Sequence, residues 1–294
     1  MWFVFAVTAA FCFGLRGILY QWTSQRPIDR NLLLLGVYLS GTIITLASNL
    51  FVQQPWSTAA WLGGMMGLFS FIANASMYKG YAVGKASIVA LFTGLPPLVV
   101  MIVAYILWQE ALSTWQFAAF FIVLIGILLI KYSQNLKFSQ LQGIQWGIIT
   151  MLFFGFTDVS VKQATLAGAS TLPVLTVMFA TGSLLFGISW SVNKYREKAI
   201  SPIDKESLTP SGSWTMKKTL CWGMIVGTTN AAGMMLIVPA FREGITGIVS
   251  AIVAMNVAFV ILYARFYLKE AWTHREVTGL ALAFVGILIL RIAS

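Results

Sequence analysis

The chain has 294 residues, 59% of them hydrophobic and 10% charged, with a mean hydropathy of +0.83 and a formal net charge of +10 at pH 7. A soluble domain of this length carries more charge and less apolar surface, so the composition excludes that class and points to a membrane protein. The two cysteines, Cys12 and Cys221, both fall in apolar runs and suggest neither a disulfide framework nor a metal site.

In chain order, ten apolar runs are long enough to cross a hydrocarbon core of ~30 Å as helices rising ~1.5 Å per residue. They cover 2–22, 32–52, 58–78, 86–107, 113–131, 142–164, 170–192, 219–240, 245–267 and 275–292. The first lacks a basic leading segment and a small-residue cleavage pattern, and reads as a retained helix. It carries Arg16 and, one turn on, Tyr20; the third run carries Asn74 and Tyr78, and the fourth is interrupted by Pro96-Pro97. In the second half Thr157 and Asp158 lie in the sixth run, Asn230 in the eighth and Asn256 in the ninth, while the lone His274 sits in a loop. Most tryptophans, among them Trp22, Trp56, Trp61, Trp108 and Trp115, fall near run ends and read as interfacial anchors. The glycines of WLGGMMG (61–67) and NAAGMM (230–235) suit close helix packing.

The chain repeats itself. At an offset of 160, Gly84 falls on Gly244, Glu110 on Glu270, Ala111 on Ala271, Gly126-Ile127 on Gly286-Ile287 and Lys131 on Arg291. For the first helix of each half the offset is 141, pairing Phe13-Gly14 with Phe154-Gly155; the difference matches the longer polar loop at 193–217. The unit is five helices, expected over 1–137 and again over 138–294. An odd number of crossings makes the second copy enter from the opposite face, giving inverted repeats about a pseudo-two-fold axis in the membrane plane, an arrangement typical of secondary transporters.

The stretch GYAVGKASIVALFTGLPPLVVMIVAYILWQEALSTWQFAAFFIVLIGILLI resembles the EamA-type repeat of the drug/metabolite transporter superfamily. The resemblance rests on Pro97, on Glu110 thirteen residues later, on Gly126-Ile127, and on Phe154-Gly155 with Lys162 seven residues after the glycine. Gln21 stands in place of that lysine in the first half, and Val257 in place of the proline in the second. The resemblance implies an all-α polytopic protein with helices 1, 3, 4, 6, 8 and 9 around a central cavity and helices 5 and 10 outside. It also implies export of amino acids, metabolites, nucleotide sugars or drugs, usually without ATP. Consistent with that, the sequence contains no GxxxxGK[ST] run and no nucleophile elbow, so neither an enzyme nor a cofactor is expected.

An ionisable group at bilayer depth costs ~2.5 to 3.5 kcal/mol on insertion scales and is a functional candidate by default. Arg16 and Asp158 each lie about four residues past the middle of their helices, on opposite sides of the midplane, so the cavity is expected to have a cationic and an anionic end suited to a zwitterion or carboxylate. The substrate-binding set expected is Arg16, Tyr20, Asn74, Tyr78, Thr157, Asp158, Asn230 and Asn256, with Asp158 also coupling transport to protons. Lys162, one turn beyond Asp158, either pairs with it or reaches out to the interface. The other readings are a multidrug efflux carrier and a non-transporting interaction or lipid-handling protein. The partners expected are a small-molecule substrate and membrane lipids, with no nucleic acid, in a monomer or homodimer of a bacterial cytoplasmic membrane.

Of the 19 Lys/Arg residues, 15 lie in or beside loops that follow odd-numbered helices, and Lys162, Arg242 and Arg291 lie on the opposite side. The positive-inside rule places the odd loops in the cytoplasm and both termini outside, whereas the resemblance implies termini inside; the one-sided count favours the first.

Overall fold

The computed structural model describes residues 1–24, 26, 28–83, 86–131, 143–199, 214–269 and 272–293. Gly84, Glu270 and Ala271 of the repeat lie outside the described residues, as does most of the polar loop. The described elements are α1 (Trp2–Ser24), α2 (Arg30–Val52), a 3-10 turn (Thr58–Trp61) leading into α3 (Leu62–Val83), α4 (Ala86–Phe92), α5 (Pro96–Trp108), α6 (Thr114–Lys131), α7 (Ile144–Leu166), α8 (Thr171–Ala199), α9 (Met216–Glu243), α10 (Thr246–Ala254), α11 (Asn256–Phe266) and α12 (His274–Ile292). They make ten spans, α4 with α5 forming the fourth and α10 with α11 the ninth. Nine are long and apolar enough to cross a membrane by length and hydropathy. The tenth, α12, carries Arg275, Glu276 and Arg291 within one turn of its two ends.

The helices start and stop where local chemistry demands it. Asp29 caps α2 by accepting from the amides of Asn31 (2.9 Å) and Leu32 (3.2 Å), and Thr273 with Glu276 forms a reciprocal capping box on α12. The turns after α2, α5 and α7 close through residues of positive φ, Gln53, Gln109 and Gly168, the left-handed conformation that commonly ends a helix. Hydroxyls at membrane depth are satisfied within their own helices: Thr45, Thr150, Ser160 and Thr176 all donate to carbonyls four residues back.

The inverted duplication reappears as matched helix crossings. A Cβ added at Gly14 would lie 2.6 Å from Phe259, and one at Gly155 would lie 2.8 Å from Val99. These crossings exchange under the two offsets, Gly14 with Gly155 by 141 and Val99 with Phe259 by 160. The same exchange relates Gly63 and Gly67 of α3, pressed on Val174 and Met178 of α8, to Gly223 and Gly227 of α9, pressed on Leu33 and Val37 of α2. Each half therefore packs mainly across the pseudo-axis: the first span of one half on the third and fourth of the other, and the second of one on the second and third of the other. Spans five and ten pair with each other, Gly126 against Gly279 and Ala283, Gly286 against Ala119 and Val123. Here the absence of side chains lets the backbones approach closely, which is the packing role of the Gly-Ile motif.

Both broken spans interrupt near membrane depth. In the fourth, the amides of Gly94 and Leu95 turn back three residues to Leu91 and Phe92, and Pro96-Pro97 open α5, where proline costs no helical hydrogen bond. Lys131, at the end of α6, donates to Thr93 Oγ1 in this break at 2.7 Å. The ninth span breaks at Met255, whose amide bonds back to Ile252, although no proline is present.

Candidate functional site

Two faces of the bundle can be distinguished. The basic face holds the loops after odd-numbered spans; the terminal face holds both chain ends, with Met1 N 3.9 Å from Glu243 and the Ala293 carbonyl accepting from Gln116 at 3.1 Å. α1 runs from the terminal to the basic face and α7 runs the other way. From the observed helix bounds, Arg16 and Asp158 each lie three residues, about 4.5 Å, past the middle of their helices. They bracket the midplane more tightly than the sequence estimate, because both helices extend two residues further at their C-terminal ends.

Arg16 does not snorkel to the basic face. Its guanidinium stacks on the Phe13 ring, 4.6 Å from the centroid, and donates to Asn230 Oδ1 at 2.6 Å. Asn230 is buried at the middle of α9, so the bond draws the cation inward and joins the first span to the eighth. A guanidinium has five N–H donors, and within the described residues Arg16 places one of them in a hydrogen bond. Toward the basic face the same two helices meet again where Trp22 lies tilted against Trp222 (4.7 Å between centroids), with Trp214, just before α9, also tilted against it (5.8 Å).

Asp158 does not pair with Lys162. Its Oδ2 accepts from Ser250 Oγ of α10 at 2.6 Å. Lys162 is 6% exposed and does not reach the interface either. Its ammonium sits 3.1 Å from Glu110 Oε1 and donates to the carbonyls of Phe241 (2.9 Å) and Gly244 (3.1 Å) at the end of α9. The second oxygen of Glu110 accepts from the amide of Thr246, the first residue of α10, at 2.8 Å. Both expectations for Lys162 are thus corrected. A buried ammonium is satisfied here by a carboxylate and the negative end of a helix.

The remaining expected residues divide. Asn74 is buried and satisfied, donating to the Ser70 carbonyl at 2.8 Å and to Tyr38 Oη at 3.4 Å, with Tyr38 and Ser70 hydroxyls bonded to each other. Thr157 spends its proton on the Phe153 carbonyl of its own helix. Tyr20 and Tyr78 are half-buried and lie, with Tyr38, within electrostatic reach of Arg16; Arg30 covers the Tyr78 ring at 5.4 Å. Asn256 is half-buried at the start of α11. Sequence reasoning missed three residues. Ser250 has no signal of its own, Tyr38 lies in the second helix, which was not counted among those around the cavity, and Glu110 was read only as a motif residue at a helix end.

With this geometry in hand, one comparison with known proteins gives its family. The model of the EamA-like transporter family matches residues 1–132 and 141–292. No curated protein matches the chain. Among solved structures, one crystal structure superposes with a TM-score of 0.74 over 98% of this chain and 96% of its own, at 15% identity, a likeness that shows the fold alone.

Proposed function

We propose that this chain, which belongs to the EamA-like transporter family, is a secondary active exporter of a small carboxylate or zwitterion, such as an amino acid, working by alternating access with proton coupling. The reading is carried by one observation. Two opposite charges bracket the midplane, and each is held by a neutral side chain, Arg16 by Asn230 and Asp158 by Ser250. Among the described residues neither has a counter-ion within ion-pair distance, an arrangement that suits a ligand carrying an acid and an amine. A family of transporters, with no ATP-binding motif in this sequence, fits an ion-coupled or facilitated carrier. The test is counterflow in proteoliposomes, preceded by a thermal-shift screen of amino acids, nucleosides and lipophilic cations. Carboxylate-bearing compounds are expected to stabilise the protein and exchange across the membrane. Stabilisation by lipophilic cations alone would favour multidrug efflux.

We place the basic face in the cytoplasm, in a bacterial cytoplasmic membrane. Its cations lie beside interfacial indoles, Lys79 over Trp146 (4.3 Å), Lys218 over Trp214 (4.4 Å) and Lys194 over Trp190 (4.8 Å). Of the three Lys/Arg residues on the terminal face, Lys162 is buried, while the exposed Arg242 donates to the Ala169 carbonyl at 2.9 Å and the exposed Arg291 covers Phe3. A C-terminal alkaline phosphatase fusion is therefore expected to be active and a C-terminal green fluorescent protein fusion dark. The reverse pattern places the termini inside.

A further inference from the structure

The cluster around Lys162 ties together four helix ends on the terminal face. α7 supplies the ammonium, the end of α5 supplies Glu110, the end of α9 supplies the carbonyls of Phe241 and Gly244, and the start of α10 supplies the Thr246 amide. These ends belong to the fourth, sixth, eighth and ninth spans, which also carry Asp158, Asn230 and Ser250 further in. One turn along α10 from Thr246, Ser250 is 2% exposed. The tie thus lies between the centre of the bundle and the terminal face. It is also one-sided. By the 141 offset Lys162 falls on Gln21, and whatever hydrogen bonds that amide makes, it brings no charge, so the mate of Lys162 toward the basic face cannot form an ion pair.

We propose that the Lys162–Glu110 pair is the terminal-face gate of this protein, and that the missing charge at Gln21 biases the resting state closed on the terminal face and open toward the basic face. The proposal rests on the alternating-access reading. When the terminal face opens, the ends of these spans separate, and the ammonium and carboxylate exchange each other for water. While closed, two partly desolvated charges satisfy one another and cap a helix end that would otherwise present unpaired carbonyls. Lys162→Gln, which copies the mate position, removes the ammonium. Glu110→Gln keeps an oxygen for the Thr246 amide and removes only the carboxylate charge, so it tests the tie with the helix start still capped.

The experiment uses the full chain with Cys12 and Cys221 replaced by serine and a single cysteine at Ser250, in sealed vesicles of each orientation. A membrane-impermeant methanethiosulfonate is added from one face at a time. In the parent the reporter is expected to resist reagent from the terminal face and to react from the basic face. In both gate variants terminal-face labelling should accelerate about tenfold or more, as expected for a two-state equilibrium moved toward its open form. A control cysteine at Ala119, within the α6–α12 seam, should stay protected in every variant; its exposure in one variant signals unfolding, and the other variant then decides. Terminal-face rates equal to the parent's in folded variants overturn the proposal. No substrate is needed for labelling. With counterflow measured on the chain that retains Ser250, a labelling shift without counterflow leaves the gate standing and removes the carrier reading, whereas counterflow without a labelling shift removes the gate alone.

Discussion

Arg16→Ala is expected to abolish detectable binding of carboxylate-bearing ligands, while Arg16→Lys retains part of it. The guanidinium is half-buried at membrane depth and held by Asn230 and the Phe13 ring, which fix its position and, among the described residues, use one of its five donors. A charge-assisted hydrogen bond contributes ~1.5 to 3 kcal/mol, and two in parallel on one carboxylate weaken Kd by a hundredfold or more when lost. Lysine keeps the charge but not the planar fork, so its loss is smaller. Asn230→Ala should have an intermediate effect, since it frees the guanidinium to swing toward the basic face without removing it. Thermal-shift titration of each variant measures this directly. Unchanged affinity in the alanine variant, at normal expression, would make Arg16 a staple between α1 and α9 and not a ligand group.

Asp158→Asn is expected to keep substrate exchange between equal pools and to lose accumulation driven by a pH gradient. The argument depends on where Lys162 points. Had the ammonium been paired with Asp158, protonating the carboxylate would have stranded a buried cation, and the proton would be costly to add. With Lys162 compensated by Glu110, Asp158 can take up and release a proton against a neutral serine, and each change alters the charge of the cavity by one unit. One proton moving down one pH unit supplies ~1.4 kcal/mol, enough for about a tenfold concentration ratio. The asparagine variant should therefore equilibrate at a ratio near one under ΔpH alone, while its counterflow persists. Ser250→Ala should weaken coupling less, because the carboxylate itself remains. If the asparagine variant still concentrates substrate when only ΔpH is imposed, the aspartate is structural and any coupling lies elsewhere.

The ten spans, their inverted duplication and the broken fourth span were legible in the sequence because each follows from local or internally repeated information. Apolar length marks a crossing, two offsets reveal the copy, and Pro96-Pro97 interrupt a helix wherever they stand. The offsets even predict the crossings, since Gly14 on Phe259 and Gly155 on Val99 are one contact written twice. The break in the ninth span was only half legible. Asn256 aligns with Pro96, yet no proline forces the turn at Met255; the packing of α10 between α1, α5 and α7 imposes what the first half encodes locally.

The partners of the charges lay beyond sequence reasoning, because spacing along one helix says which groups can meet and not which will. Asp158 and Lys162 share a helix face and an i,i+4 spacing, which lets them meet but does not bind them. The other spans bring a carboxylate and a helix end to the ammonium, and a serine hydroxyl to Asp158. Glu110 and Thr246 are 136 residues apart, and Arg16 and Asn230 are separated by 214. Composition and repetition determined that this chain crosses a membrane ten times as two opposed copies; only the tertiary fold decided that Lys162 closes on Glu110 and leaves Asp158 to Ser250, since a charge at low dielectric takes the best-placed partner in space, wherever it falls in the chain.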